Sequence, residues 1–148
     1  MFAKHALKRL SQKNLFMQGM QCRYFPIVKK YTKTHEWIEV DTDTSIATIG
    51  ITDHAQGELG DIVHVGLPDI STEFNKSDAI SCVESVKTAA DIYQMVDGEV
   101  VEVNETLNDE PELINKDAEG DGWIMKVKLK DQKQLADLLS GDDYKEIL

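Results

Sequence analysis

Apolar and polar residues alternate along most of the chain, and the alternation marks out short strands. "WIEV" (Trp37 to Val40) runs into "DTDT" (Asp41 to Thr44), and "SIATIGI" continues beyond it. Asp and Thr side chains close turns against their own backbone, so these runs read as a hairpin. "TDHAQGEL" opens on Thr52 and Asp53, either able to cap a short helix, and Gly60 follows as its stop. "DIVHVGLP" is a strand ended by Pro68, while "AISCVESV" and "ADIYQMV" flank Lys87. "GEVVEVN" follows the turn signal Asp97-Gly98, and "PELIN" makes a short segment of its own. In "WIMKVKL", Trp123, Met125, Val127 and Leu129 fall on one face and Ile124, Lys126 and Lys128 on the other. An antiparallel sheet with one buried and one wet face requires that alternation.

The period then changes. Leu135, Leu138 and Leu139 sit at i, i+3 and i+4, and Tyr144, Ile147 and Leu148 repeat the spacing after a break at Gly141. Two short amphipathic helices are expected there, covering a barrel edge or sheet face. With about eight short strands and frequent turn signals, the pattern predicts a mostly β domain, a small sandwich or flattened barrel with flanking and C-terminal helices.

Charge divides the chain. The formal net charge is −11 over 148 residues, yet Met1 to His35 holds eight Lys or Arg and no acid. The remainder has eight basic residues against all 27 acids, a net charge of −19. In the basic segment Phe2, Ala6, Leu7 and Leu10 fall near helical spacing among Lys4, Lys8 and Arg9. That acid-poor, amphipathic composition predicts a mitochondrial transit peptide over residues 1–24 and a matrix location. Arg23-Tyr24 resembles a processing site and places the mature start near Phe25, with the domain over 25–148. An acidic domain repels phosphate backbones, so no nucleic acid is expected. No apolar stretch is long enough to span a membrane.

Catalytic and metal motifs are few. His35, His54 and His64 are scattered, with no His-x-x-x-His pair and no supporting cysteines, so no metal site is expected. Neither a dinucleotide-binding glycine motif, a phosphate-loop lysine nor a Gly-x-Ser-x-Gly elbow occurs. Past the basic segment only Cys82 remains, in an apolar strand, and it reads as a small buried residue.

Attention therefore falls on "VESVKTAADIY" (Val83 to Tyr93). Lysine does not force a tight turn as Gly, Asn, Asp or Pro does. A lysine at this tip is either a solvated loop residue or an amine held out for modification. Acylation there would remove the charge and create a long tether, which raises the effective concentration of its cargo at several active sites.

"KYTKTHEWIEV", "ATIGITDHAQGELGDIVHVGLP", "ESVKTAADIY", "GEVVEVNETL", "PELIN" and "GWIMKVKL" resemble, in order and nearly in spacing, the H-proteins of the glycine cleavage system. The resemblance runs from Lys30 through the terminal helices. It implies a hybrid barrel-sandwich (lipoyl-domain-like) of two antiparallel half-sheets, with (R)-lipoate covalently attached to Lys87 at an exposed hairpin turn. It implies a non-catalytic carrier. The pyridoxal-phosphate glycine decarboxylase (P-protein) loads an aminomethyl group onto the arm. The aminomethyltransferase (T-protein) passes the one-carbon unit to tetrahydrofolate, and dihydrolipoamide dehydrogenase (L-protein) reoxidises the dithiol. Lipoate-attaching enzymes are the other implied partners. In the family the loaded arm folds back on the protein surface, and Thr34, Glu36 and Asp91 match that docking region.

The chain departs from the family pattern at "DIST" (Asp69 to Thr72), at Gln94-Met95 and at Ala118-Glu119, all turns away from Lys87. A lipoyl domain of an acyltransferase would carry "DKA" at the lysine and a biotinyl domain Met-Lys-Met; Val86 and Thr88 flank it here. A lipoyl relay and an unmodified interaction module stay open as alternatives.

Overall fold

The structure, a computed structural model, describes residues 26–148. The expected transit peptide and its processing site lie outside the described residues.

Among the described residues nine strands form two antiparallel sheets. They are β1 (Ile27–Tyr31), β2 (Glu36–Asp41), β3 (Ile46–Ile51), β4 (Ile62–Gly66), β5 (Glu73–Phe74), β6 (Ala79–Ser85), β7 (Ala89–Tyr93), β8 (Gly98–Val103) and β9 (Met125–Leu129). Six pair in the order β1-β2-β3-β9-β8-β5, and three pair as β4-β6-β7. The inward faces of both sheets meet in one core, with Ile38, Ile49, Val100 and Val127 from the larger sheet against Val65, Val83 and Ile92 from the smaller. Each such side chain contributes about 1.5–3 kcal/mol on burial, and Cys82 is a free thiol.

The hairpin at Asp41–Thr44 forms as its residues predict, with the Asp41 carboxylate accepting the amides of Asp43 (2.9 Å) and Thr44 (3.4 Å). Helix α1 (Asp53–Leu59) starts on Thr52, whose hydroxyl accepts the Ala55 amide, and ends at Gly60. Two short helices, α2 (Thr106–Asp109) and α3 (Leu113–Asp117), follow β8 and bury Leu107 and Ile114.

Three expectations are corrected. Strand β9 begins at Met125, so Ile124 leaves the predicted wet face and is fully buried, while Trp123 is only half-buried. The backbone departs from the pleat there, with the Ile124 amide bonding to the Ile49 carbonyl. The first terminal helix is a 3-10 helix, Gln132–Asp137, and it buries only Leu135. Leu139 instead pairs with Tyr31 as a β-bridge, extending the sheet edge. The second, α4 (Gly141–Glu146), starts at the glycine expected to break it, because Ser140 caps it; Tyr144 is buried but Ile147 and Leu148 are exposed. The Ser140 hydroxyl accepts the Asp143 amide at 3.2 Å.

The departures from the family pattern are accommodated locally. Gln94 and Met95 are buried, and the Gln94 amide donates to the Asp78 carbonyl at 2.8 Å. The Ala118 carbonyl accepts the Trp37 indole N–H at 3.1 Å. Glu119 pairs with Lys29 at 3.1 Å and accepts from the Tyr31 hydroxyl and the Asp53 amide. Burial alone would lower the Lys29 pKa, but the Glu119 carboxylate more than offsets it and holds the amine above the usual lysine range.

Candidate functional site

Strands β6 and β7 pair out to Glu84 and Ala89, and Ser85 to Thr88 reverse the chain. No residue of this turn adopts a left-handed backbone. The Ser85 amide donates to the Thr88 carbonyl at 2.7 Å. The Ser85 hydroxyl accepts the amides of Lys87 (3.3 Å) and Thr88 (3.1 Å) and lies 3.1 Å from the Thr88 carbonyl. A buried hydroxyl thus closes the turn where glycine would otherwise supply positive φ. That is why the tip tolerates a lysine.

The turn is also braced from beneath. The Val86 amide donates to the Asp61 carbonyl at 3.0 Å. On either side of Asp61, the Asn115 side chain of α3 accepts the Ile62 amide and donates to the Gly60 carbonyl, both at 2.9 Å. It also donates to the Gln56 side chain at 2.9 Å. Lys87 and Val86 project outward, Val86 with 70% of its surface exposed, and Lys87 makes no ion pair among the described residues. Gly60 has φ +82°, and a Cβ there would lie 3.6 Å from Lys87 Cε, so the lysine stem passes over a residue without a side chain.

A groove of about 310 Å³ begins at Thr88, next to Lys87, and is walled by Thr34, Glu36, Ile51, Leu59 and Asp91. The fold therefore brings together the three residues that the resemblance marks for docking. Thr34 and Asp91 are exposed, whereas Glu36 is buried at 3% exposure. Burial of a carboxylate requires partners. Glu36 Oε2 accepts the hydroxyls of Thr32 and Thr34, the latter at 2.5 Å, and its amide donates to Thr32 Oγ1 at 3.0 Å. Oε1 accepts no hydrogen bond among the described residues, and neither Glu36 nor Asp91 is ion-paired there. The groove therefore offers carboxylate charge and an apolar wall to whatever enters it.

His35, which also lines the groove, is held by α4. Tyr144 stacks on Tyr31 with ring centroids 4.6 Å apart, and its hydroxyl meets His35 Nδ1 at 2.7 Å and Thr52 Oγ1 at 2.8 Å. Burial pushes the Tyr144 phenol pKa up; the Thr52 hydrogen bond opposes it only in part. Sequence reasoning singled out Lys87, Thr34, Glu36 and Asp91 but missed Ser85, Gly60, Asn115 and Tyr144 as parts of the site. Ser85, two residues before the lysine, carried a local signal as a turn-forming hydroxyl; the others act across the fold and carried none.

The glycine cleavage H-protein family model matches residues 29–148. The glycine cleavage system H protein of Thermotoga maritima is 51% identical over 119 residues, 80% of this chain and 94% of that protein. The Staphylococcus carnosus protein of the same name is 52% identical over 119 residues, 80% of this chain and 93% of its own length. The crystal structure of a glycine cleavage system H protein from Mycobacterium marinum superposes with a TM-score of 0.74 at 33% identity, covering 82% of this chain and 96% of that one. On its sequence, fold and site together, the chain belongs to the glycine cleavage H-protein family.

Proposed function

We propose that this chain is the lipoyl carrier of the glycine cleavage system, with (R)-lipoate joined to the Lys87 Nζ through an amide. Members of the family carry a lipoyl group and serve the system as a carrier subunit, not as a catalyst. The observation that carries the assignment of the residue is the turn itself. A lysine without an ion-pair partner among the described residues stands at a tip closed by the Ser85 hydroxyl and braced by Asp61, where a modifying enzyme would meet the amine in one place. The residues fit the group: the stem is unobstructed over Gly60, and a groove opens one residue away.

When bound, the group supplies a disulfide that is reduced as it takes up the aminomethyl unit of glycine. This chain's own residues then hold the cargo. Thr32 and Thr34 fix one oxygen of Glu36 by donating to it, and the other oxygen, with Asp91, is available to a protonated amine. Charge-assisted bonds of this kind are roughly twice as strong as neutral ones. The apolar wall of Ile51 and Leu59 keeps water from the tethered end.

Membership of the system implies partnership with its other components. The specific partners proposed are the P-protein, the T-protein, the L-protein and the lipoate-attaching enzymes. A mitochondrial matrix location is proposed on the acid-free basic segment alone; the relatives compared above are bacterial.

Lys87→Arg keeps the charge and removes the acylation site. The expected outcome is loss of lipoylation by intact mass, loss of glycine cleavage in the reconstituted system, and unchanged circular dichroism. Sustained glycine cleavage by the variant overturns the assignment. An unmodified Lys87 in protein from lipoate-replete cells returns the interaction-module reading.

A further inference from the structure

We propose that His35, His54 and Glu58 form a binding site for a borderline divalent cation, of which zinc is the type. Ligand atoms of the three side chains lie within 4.8 Å of one another. Two come from α1 at positions i and i+4, where side chains share a face, and His54 Nε2 is 3.1 Å from Glu58 Oε1. The third comes from the turn between β1 and β2, and its ring packs on His54 with centroids 4.5 Å apart.

The rigidity of His35 is the main argument. Its backbone sits at φ +69°, a conformation that costs energy in a residue other than glycine and is held by surrounding bonds. Its amide donates to the Thr32 carbonyl at 3.2 Å, and its carbonyl accepts the Thr52 amide at 2.9 Å. The ring is oriented by Tyr144, which meets Nδ1 at 2.7 Å, and Tyr144 in turn meets Thr52. A ligating imidazole characteristically has its other nitrogen fixed in this way, which sets the tautomer and leaves the remaining nitrogen free for the metal. Among the described residues Nε2 of His35 has no hydrogen-bond partner.

Two imidazoles and a carboxylate make the donor set of an open three-ligand zinc site, with the fourth position left to water. His54 is half-exposed and Glu58 exposed, so a cation reaches them from solvent. The net charge of −19 over residues 36–148 favours its approach. Since His35 and Glu58 also line the groove, the bound ion would sit at its edge.

The test uses the tag-free full chain unmodified at Lys87, so its result is independent of lipoylation. Metal-stripped protein is titrated with zinc chloride by calorimetry, and zinc per chain is counted after dialysis. The side-chain resonances of labelled histidine are followed in parallel. Expected are one zinc per chain and shifted His35 and His54 resonances, with affinity weakened at least roughly tenfold in both His54→Ala and Glu58→Gln. Glu58 is exposed, so Glu58→Gln also covers the case in which His54→Ala alters packing. The proposal is overturned if the wild-type chain binds no zinc, if both variants bind it unchanged, or if only histidines other than these two respond.

Discussion

Ser85 shows how much of the proposed lipoylation turn is decided by a neighbouring side chain. Ser85→Ala removes the acceptor for the Lys87 and Thr88 amides, at a cost of about 1 kcal/mol. The main effect expected is on geometry: slower lipoylation of Lys87 in a mass-spectrometric time course, with the circular dichroism spectrum retained. Tyr144 gives a second prediction. Its folded-state pKa is raised above the unfolded value near 10. The stability it contributes is therefore complete below that value and is lost as pH rises through the folded one. Chemical denaturation midpoints should hold steady to about pH 9 and then fall. In Tyr144→Phe the fall should be shallower, although stability at neutral pH drops by about 1 kcal/mol per lost bond to His35 and Thr52. Tyr31, raised first by burial, supplies part of the remaining slope. Lys87 was legible because the motif around it, Val83 to Tyr93, is continuous in sequence, whereas its bracing by Asp61, Gly60 and Asn115 is not. His35 and His54 were read as scattered because the turn and α1 approach each other only in the folded chain.

The strands that could be read ahead of the structure are those with a buried face, such as β2 from Ile38 to Asp41 and β3 from Ile46 to Ile49, where pleat and burial agree. Strand β1 lies at a sheet edge without one fully buried residue, and β5 has two residues held by β8, so neither leaves a clear period in the sequence. The terminal leucines kept their apolar role but not their helix: pairing of Leu139 with the open edge at Tyr31 satisfies backbone groups that a helical turn would have satisfied internally. Helix α3 was foreseen only as a short segment, yet its Asn115 joins the end of α1 to the start of β4 across a separation of 55 residues. Asn115→Ala leaves the Ile62 amide without its acceptor and the Gly60 carbonyl without its donor. A destabilisation of about 2–3 kcal/mol is expected by denaturant titration, with the β4–β6 region loosened ahead of the larger sheet.

At the scale of the molecule, one core holds the proposed lipoylation turn and the proposed docking carboxylate on different sheets, Lys87 beyond β6 of the smaller and Glu36 at the start of β2 of the larger. Residues 36–148 carry a net charge of −19, and association with partner enzymes should be steered by charge. Stopped-flow association rates with glycine decarboxylase are expected to fall several-fold as ionic strength rises toward about 0.15 M. Dissociation rates should change little. The bracing of the hairpin tip has a mechanical consequence. Because the Val86 amide is anchored to Asp61 while its side chain stands in solvent, the backbone at the tip is restrained from beneath. Most of the sweep of a group joined to Lys87 would then come from the single bonds beyond its Cα. A lipoyl arm on Lys87 would be a compass leg turning on a restrained point, its radius set more by the length of the tether than by the softness of the protein.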